Sequence, residues 1–253
     1  MLFDNFSNRS LQLTNRMVMA PLTRSRATPA HTPNALMATY YGQRASAGLI
    51  ISEGTSPSPN GLGYPRIPGL YDTAQVDAWK SSTAAVHTPG GKIFVQFMHC
   101  GRVAHIDNLP TGAEVLGPGT AVCPGEMNND TEGMQPHSPP RAMTEADIAH
   151  AVKEHVTAAK LALDAGFDGV ELHGANGYLN EGCWCSSRTL PCRMRTCPEA
   201  LGGNERRLGE NSSARFRKRV SDISSSRPMA QARPFRRDRR VVPSTCNWAR
   251  VAL

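Results

Sequence analysis

Phe167-Asp168-Gly169-Val170-Glu171-Leu172-His173-Gly174-Ala175-Asn176-Gly177-Tyr178-Leu179 is the stretch whose reading decides the fold. Gly169 to His173 reads as a short strand, and the Gly-Ala-Asn-Gly after Leu172-His173 reads as a turn. The clearest helix of the chain lies just upstream. Thr144-Glu145-Ala146-Asp147 resembles a capping box, with Asp in place of the usual Glu or Gln. Ile148, Val152, Val156, Ala159 and Leu163 follow at spacings of three and four, which predicts one buried face. Gly166 can supply the C-terminal cap.

Three more strand-sized runs precede this unit. Arg16-Met17-Val18-Met19-Ala20 is stopped by Pro21, Leu49-Ile50-Ile51-Ser52 by Glu53-Gly54, and Ile93-Phe94-Val95-Gln96-Phe97 is the third. Continuous apolar runs of this length suit strands buried on both faces, as in parallel sheets. Helical patterns separate them: a modest one over 34–46 and another over 73–87 that includes Val76, Trp79 and Val86. Strand–helix alternation of this kind predicts an α/β fold, either a barrel or a doubly wound sheet. Residues 100–143 form a long connection rich in Pro and Gly, which reads as a lid or a substrate-binding excursion.

With 40% hydrophobic and 19% charged residues, the 253-residue chain can build a packed core, so global disorder is excluded. No run approaches the roughly 18 apolar residues of a membrane span. Asp4 follows Met1-Leu2-Phe3 where the basic start of a signal peptide should sit, so a cytoplasmic protein is expected. Seven cysteines, an odd number, speak against a secreted disulfide scaffold, and Cys100 and Cys123 read as reduced thiols.

The formal charge of +7 is unevenly spread. Residues 1–179 carry 12 Lys+Arg against 15 Asp+Glu, and residues 180–253 carry 16 against 6. The second segment has no His or Tyr and no apolar period, and it holds Cys183, Cys185, Cys192, Cys197 and Cys246. The chain therefore divides near residue 180, into 1–179 and a tail, 180–253, expected to be disordered. Excess Arg, Ser, Pro, Ala and Cys is what a GC-rich gene yields when a shifted frame or a mis-joined exon is read. A zinc site fits poorly, because Cys183, Cys185, Cys192 and Cys197 lack paired two-residue spacing. Nucleic-acid binding by the arginines would be nonspecific, without interleaved aromatics or a module signature.

Polar groups end all four strands of the first segment: Thr23 and Arg24; Glu53 and Thr55; Gln96 and His99; His173, Asn176 and Tyr178. In (β/α) barrels the active site assembles at the C-terminal strand ends. If the chain turns helically after the last strand, His173 and Asn176 point the same way. Two such donors can grip one carbonyl oxygen and stabilise charge developing on it. Tyr178 is a phenol suited to protonating a carbanion-like centre. For each group taken alone, a satisfied structural hydrogen bond or a simple turn is the competing reading.

These stretches resemble the old yellow enzyme family of FMN-dependent ene-reductases and NAD(P)H oxidoreductases. The likeness is carried by Asn15-Arg16-Met17-Val18-Met19-Ala20-Pro21-Leu22-Thr23-Arg24-Ser25-Arg26, Ile51-Ser52-Glu53-Gly54-Thr55, Val76-Asp77-Ala78-Trp79-Lys80, Gly90-Gly91-Lys92-Ile93-Phe94-Val95-Gln96, Pro140-Arg141-Ala142-Met143-Thr144 and Phe167 to Leu179. The resemblance implies a TIM barrel with FMN across its top. Ala20, Pro21, Leu22 and Thr23 would contact the flavin ring, with Thr23 tuning its potential. Gly54 would leave room for the ring, and Gln96 would bond its pyrimidine edge. His173 and Asn176 would hold an enone carbonyl oxygen, and Tyr178 would protonate the α-carbon while hydride passes from flavin N5 to the β-carbon. NADPH or NADH would reload the flavin. Met98 stands where the family commonly has Trp, which implies a change in substrate shape preference.

The resemblance ends at Leu179, after roughly the first four βα units, so an incomplete (β/α)8 barrel is expected. The later strands of the family supply an arginine beside the flavin and phosphate-binding loops. Without them, the strand ending at His173 would keep an unpaired edge, and stability would be marginal or rescued by association into a homo-oligomer. The alternative is a non-catalytic remnant whose basic tail binds nucleic acid nonspecifically.

Overall fold

The computed structural model describes residues 1–8, 11–185 and 249–251. The chain opens with a hairpin, β1 (Phe6–Asn8) and β2 (Leu11–Leu13). There follow β3 (Val18–Met19), α1 (Ala35–Gly42), β4 (Leu49–Thr55), α2 (Thr73–His87) and β5 (Ile93–Phe97). The long excursion carries β6 (Leu116–Gly117), β7 (Glu126–Asn129), β8 (Gly133–Pro136) and β9 (Arg141–Ala142). The last elements are α3 (Glu145–Asp164), β10 (Gly169–Leu172), α4 (Leu179–Cys185) and β11 (Ala249–Val251).

β3, β4, β5 and β10 lie side by side and pair in parallel, so the α/β expectation holds. Every residue of β4 and β5 is buried, as strands covered on both faces should be. One face carries Ile50, Ile93, Val95, Phe97 and Val170, packed on Trp79 and Val86 of α2 and on Ala158 and Ala162 of α3. The other carries Leu49, Ile51 and Phe94, capped by Leu13 of the hairpin. Asp168 locks the lower end of β10 to its neighbours, accepting bonds from His87, Lys92 and the Ile93 N–H.

Four local expectations change. The first strand is shorter than the run from Arg16 to Ala20, only Val18–Met19. The helix read over 34–46 ends at Gly42, after starting from an Asn34 N-cap. The Thr144 capping box is formed, but α3 buries Ala151, Val152, His155, Ala158 and Ala162. Leu163, placed in the core by the three-four spacing, is 56% exposed. The alanines let the helix approach the sheet closely, and His155 fills the remaining gap by stacking on His99, with ring centroids 6.2 Å apart. Finally, the outer edge of β10 is not open. β11 pairs with it antiparallel, Val170 opposite Val251, whereas a barrel stave there would run parallel. Apart from Cys185 and earlier residues, and Ala249–Val251, the tail reading lies outside the described residues.

Candidate active site

The inner face of the sheet changes character toward the C-terminal strand ends. Above Ile51 and Phe94 the register of β4 against β5 shifts, so that Gly54 comes beside Gln96. Gln96 in turn stands beside Glu171 of β10. The side chains of Gln96 and Glu171 are both 2% exposed, and Gln96 Nε2 donates to Glu171 Oε1 at 2.9 Å. A buried carboxylate thus fixes which way the Gln96 amide faces. The Cβ that Gly54 lacks would meet Met98, whose Cε lies 2.6 Å from that position. Met98, just past the end of β5, thus fills the space beside Gly54.

His173 continues the inward series Gly169, Glu171 and is buried. Its Nδ1 accepts the Ala175 N–H at 3.3 Å, which leaves the proton of the neutral ring on Nε2. Burial holds its pKa below the ordinary value, so the ring is a neutral donor. Residues 173–178 form a turn, not the helical turn assumed from spacing; Asn176 sits on it, exposed, with φ of 62°. Glu181 Oε2 accepts the Gly177 N–H at 2.7 Å, and Asn180 Nδ2 donates to the His173 carbonyl at 3.0 Å. These two residues of α4 hold the turn in place.

The structure brings Tyr178 and His173 together, ring centroids 4.8 Å apart and edge to face. Tyr178 packs in a small core with Leu62, Ile67, Met98 and Cys100. Its hydroxyl lies 2.9 Å from that of Tyr64. Burial and this bond keep the Tyr178 phenol protonated far above the ordinary range. Tyr64 belongs to the loop after β4, which the excursion clasps: Asn108 Nδ2 donates to the Gly63 and Asn128 carbonyls, and Arg66 pairs with Asp130 at 2.8 Å.

Ala20, Pro21, Leu22 and Thr23 form the strip after β3, with Leu22 49% exposed. Glu53 anchors its far end. The carboxylate, 1% exposed, accepts the Arg24 N–H at 3.2 Å and the Tyr41 hydroxyl at 3.1 Å. Burial raises its pKa, partly offset by those two bonds. Sequence reasoning named Glu53 only as a polar strand end, and it missed Tyr64, Glu171, Asn180 and Glu181. For Tyr64 the available signal was an aromatic between Gly63 and Pro65 in a turn-rich loop. Among the described residues, no three His, Cys, Asp or Glu side chains gather as a metal site, and no helix is long and apolar enough to cross a membrane.

A parallel sheet whose strand tips carry an amide, a neutral histidine and a buried phenol defines a site of the kind α/β enzymes use for small molecules. The model of the NADH:flavin oxidoreductase / NADH oxidase family matches residues 1–183, and the chain belongs to that family. It is 40% identical over 183 residues to 12-oxophytodienoate reductase 7 of Oryza sativa subsp. japonica, covering 70% of this chain and 46% of that protein. It is 42% identical over 172 residues to the "Probable flavin mononucleotide-dependent alkene reductase" of Leishmania infantum, covering 66% of this chain and 47% of that protein. The solved old yellow enzyme homologue from Zymomonas mobilis superposes with a TM-score of 0.70 at 40% identity, covering 85% of this chain and 59% of that one. The chain thus spans about half the length of the curated relatives it matches.

Proposed function

We propose that the chain carries the ring-binding and substrate-binding half of an FMN-dependent NAD(P)H oxidoreductase that reduces the C=C bond of α,β-unsaturated carbonyls. The observation that carries this reading is the line of Gln96, Glu171, His173 and Tyr178 at the C-terminal ends of adjacent parallel strands. Family membership and the alkene reductase among its relatives support it.

The donor set fits a flavin ring. The exposed strip Ala20 to Thr23 with Leu22 offers an apolar and backbone surface, and the Gln96 amide suits an imide edge, which both donates and accepts. When bound, FMN supplies hydride from N5 and is reloaded by NADPH or NADH. His173 Nε2–H and the Asn176 amide hold the enone carbonyl oxygen and stabilise the enolate charge. Tyr178 gives its proton to the α-carbon. The excursion over 100–143 fastens the Tyr64 loop and on this reading serves as the lid or substrate-binding excursion read from sequence.

The fold on this reading is the first part of a TIM barrel, residues 1–179. With about half the length of its curated relatives matched, the chain on this reading holds flavin and turns over weakly. The cytoplasm is the proposed compartment, supported by the free thiols of Cys100 and Cys123. Adding FMN to the purified full chain and following NADPH oxidation with and without 2-cyclohexenone tests the function. Enone-dependent oxidation abolished by Tyr178→Phe is expected; oxidation indifferent to the enone contradicts the reading.

A further inference from the structure

We infer that Tyr64 is a positioning residue for the Tyr178 proton: its hydroxyl holds the Tyr178 phenol in one orientation and hydrogen-bonds the Tyr178 oxygen once that oxygen has given its proton away. This inference rests on the reductase reading above.

The two hydroxyl oxygens are 2.9 Å apart, and the rings meet edge to face with centroids 6.4 Å apart at 87°. His173 meets the Tyr178 ring at 4.8 Å and 82°. Tyr178 is therefore held by two rings, and its hydroxyl direction is set by one of them. The contact joins residues 114 apart in sequence, so it is no by-product of a local turn. The loop bearing Tyr64 is itself fastened, through Asn108 on the Gly63 carbonyl and Arg66 on Asp130. Cys100 and Cys123 are the other titratable groups facing the two phenols; Glu181 faces His173, and Arg102 faces Cys123. Cys100 stays a thiol, its pKa pushed up by burial to about 12. Among the described residues, the Tyr64 hydroxyl is the donor that the structure sets against the Tyr178 oxygen, at 2.9 Å.

In the protonation step the Tyr178 O–H bond breaks and a C–H bond forms at the substrate α-carbon. The O–H electron pair stays on the Tyr178 oxygen. The pair for the new C–H bond comes from the enolate left by hydride addition at the β-carbon. The Tyr64 O–H then donates to the Tyr178 oxygen until solvent water returns a proton.

The full chain has five tyrosines, few enough to assign by 13C NMR of the ring Cζ with single Tyr→Phe variants. Tyr64→Phe keeps the ring contacts and removes only the hydroxyl. The Tyr178 resonance is expected to shift in this variant while those of Tyr40 and Tyr41 stay in place. In mixed H2O and D2O, the wild-type Tyr178 line is expected to split, as a slowly exchanging hydrogen-bonded hydroxyl requires; this second reading needs no substitution at Tyr64. With FMN added, enone-driven reoxidation should slow about tenfold in Tyr64→Phe and about 100-fold or more in Tyr178→Phe, with KM unchanged and a larger solvent deuterium isotope effect in the former. A Tyr178 resonance that ignores Tyr64→Phe, or an unsplit wild-type line, overturns the inference whatever the activity. If the resonance moves but the wild-type chain shows no enone-driven reoxidation, the pairing stands and the proton-delivery role falls with the reductase reading.

Discussion

Tyr178 illustrates how one residue's surroundings choose its chemistry. A buried phenol beside a neutral histidine and a second phenol has its pKa raised above the ordinary value, which suits a proton donor better than a base. Enone-driven reoxidation in the Tyr178→Phe variant should fall about 100-fold or more, with flavin binding unchanged, as rapid-mixing absorbance would read. Glu171 has a structural consequence as well. Glu171→Leu removes the acceptor of the Gln96 amide and leaves it buried without that partner, at a cost of about 1–3 kcal/mol in chemical denaturation. The residue types His173, Asn176, Gln96 and Tyr178 were legible in the sequence because strand-end polar groups stand out against apolar runs. Glu171 and Glu53 were not, since their partners are fixed by strand register and by the shift between Ile51 and Gly54.

At the scale of elements, α3 decides how the sheet is covered. Its start was readable because a cap depends on four consecutive residues, and both capping-box bonds form. Thr144→Ala should cost about 1 kcal/mol, measured as a change in denaturation midpoint at constant slope. Its buried face was less readable, since alanines carry little hydrophobic weight in a periodic pattern and a histidine is not expected in a core. That histidine, with its stacked partner, gives the fold an acid limit. Burial and the neighbouring His155 lower the His99 pKa from 6.5 to about 3, and burial lowers that of His155. The unfolded chain binds more protons than the folded one between these values, so the stability from neutral His99 is complete above about pH 6.5 and is lost as pH falls toward 3. Asp168 adds to the loss at the lower end of that range: burial opposes its ionisation, but Lys92, the Ile93 N–H and His87 more than compensate. Glu53, raised by burial, works in the opposite direction. Urea denaturation should show stability falling from pH 7 to pH 4, with a shallower slope in His99→Gln; an unchanged slope in that variant would refute the assignment to the histidine stack.

For the whole molecule, the sequence made the parallel order of β3, β4, β5 and β10 legible, because each strand is a continuous apolar run followed by turn residues. The pairing of β11 onto β10 was not legible: Ala249–Val251 lies in a stretch without period, and its antiparallel direction follows no βαβ rule. The central claim is that the strand tips of β4, β5 and β10, with the strip after β3, form a flavin-binding surface. The most direct measurement is titration of FMN with the purified full chain, read by quenching of flavin fluorescence, in the wild type and in Gln96→Leu. Saturable quenching in the wild type, weakened about tenfold or more by Gln96→Leu, is the predicted result. Absence of saturable quenching, or equal affinity in the two proteins, would contradict the claim.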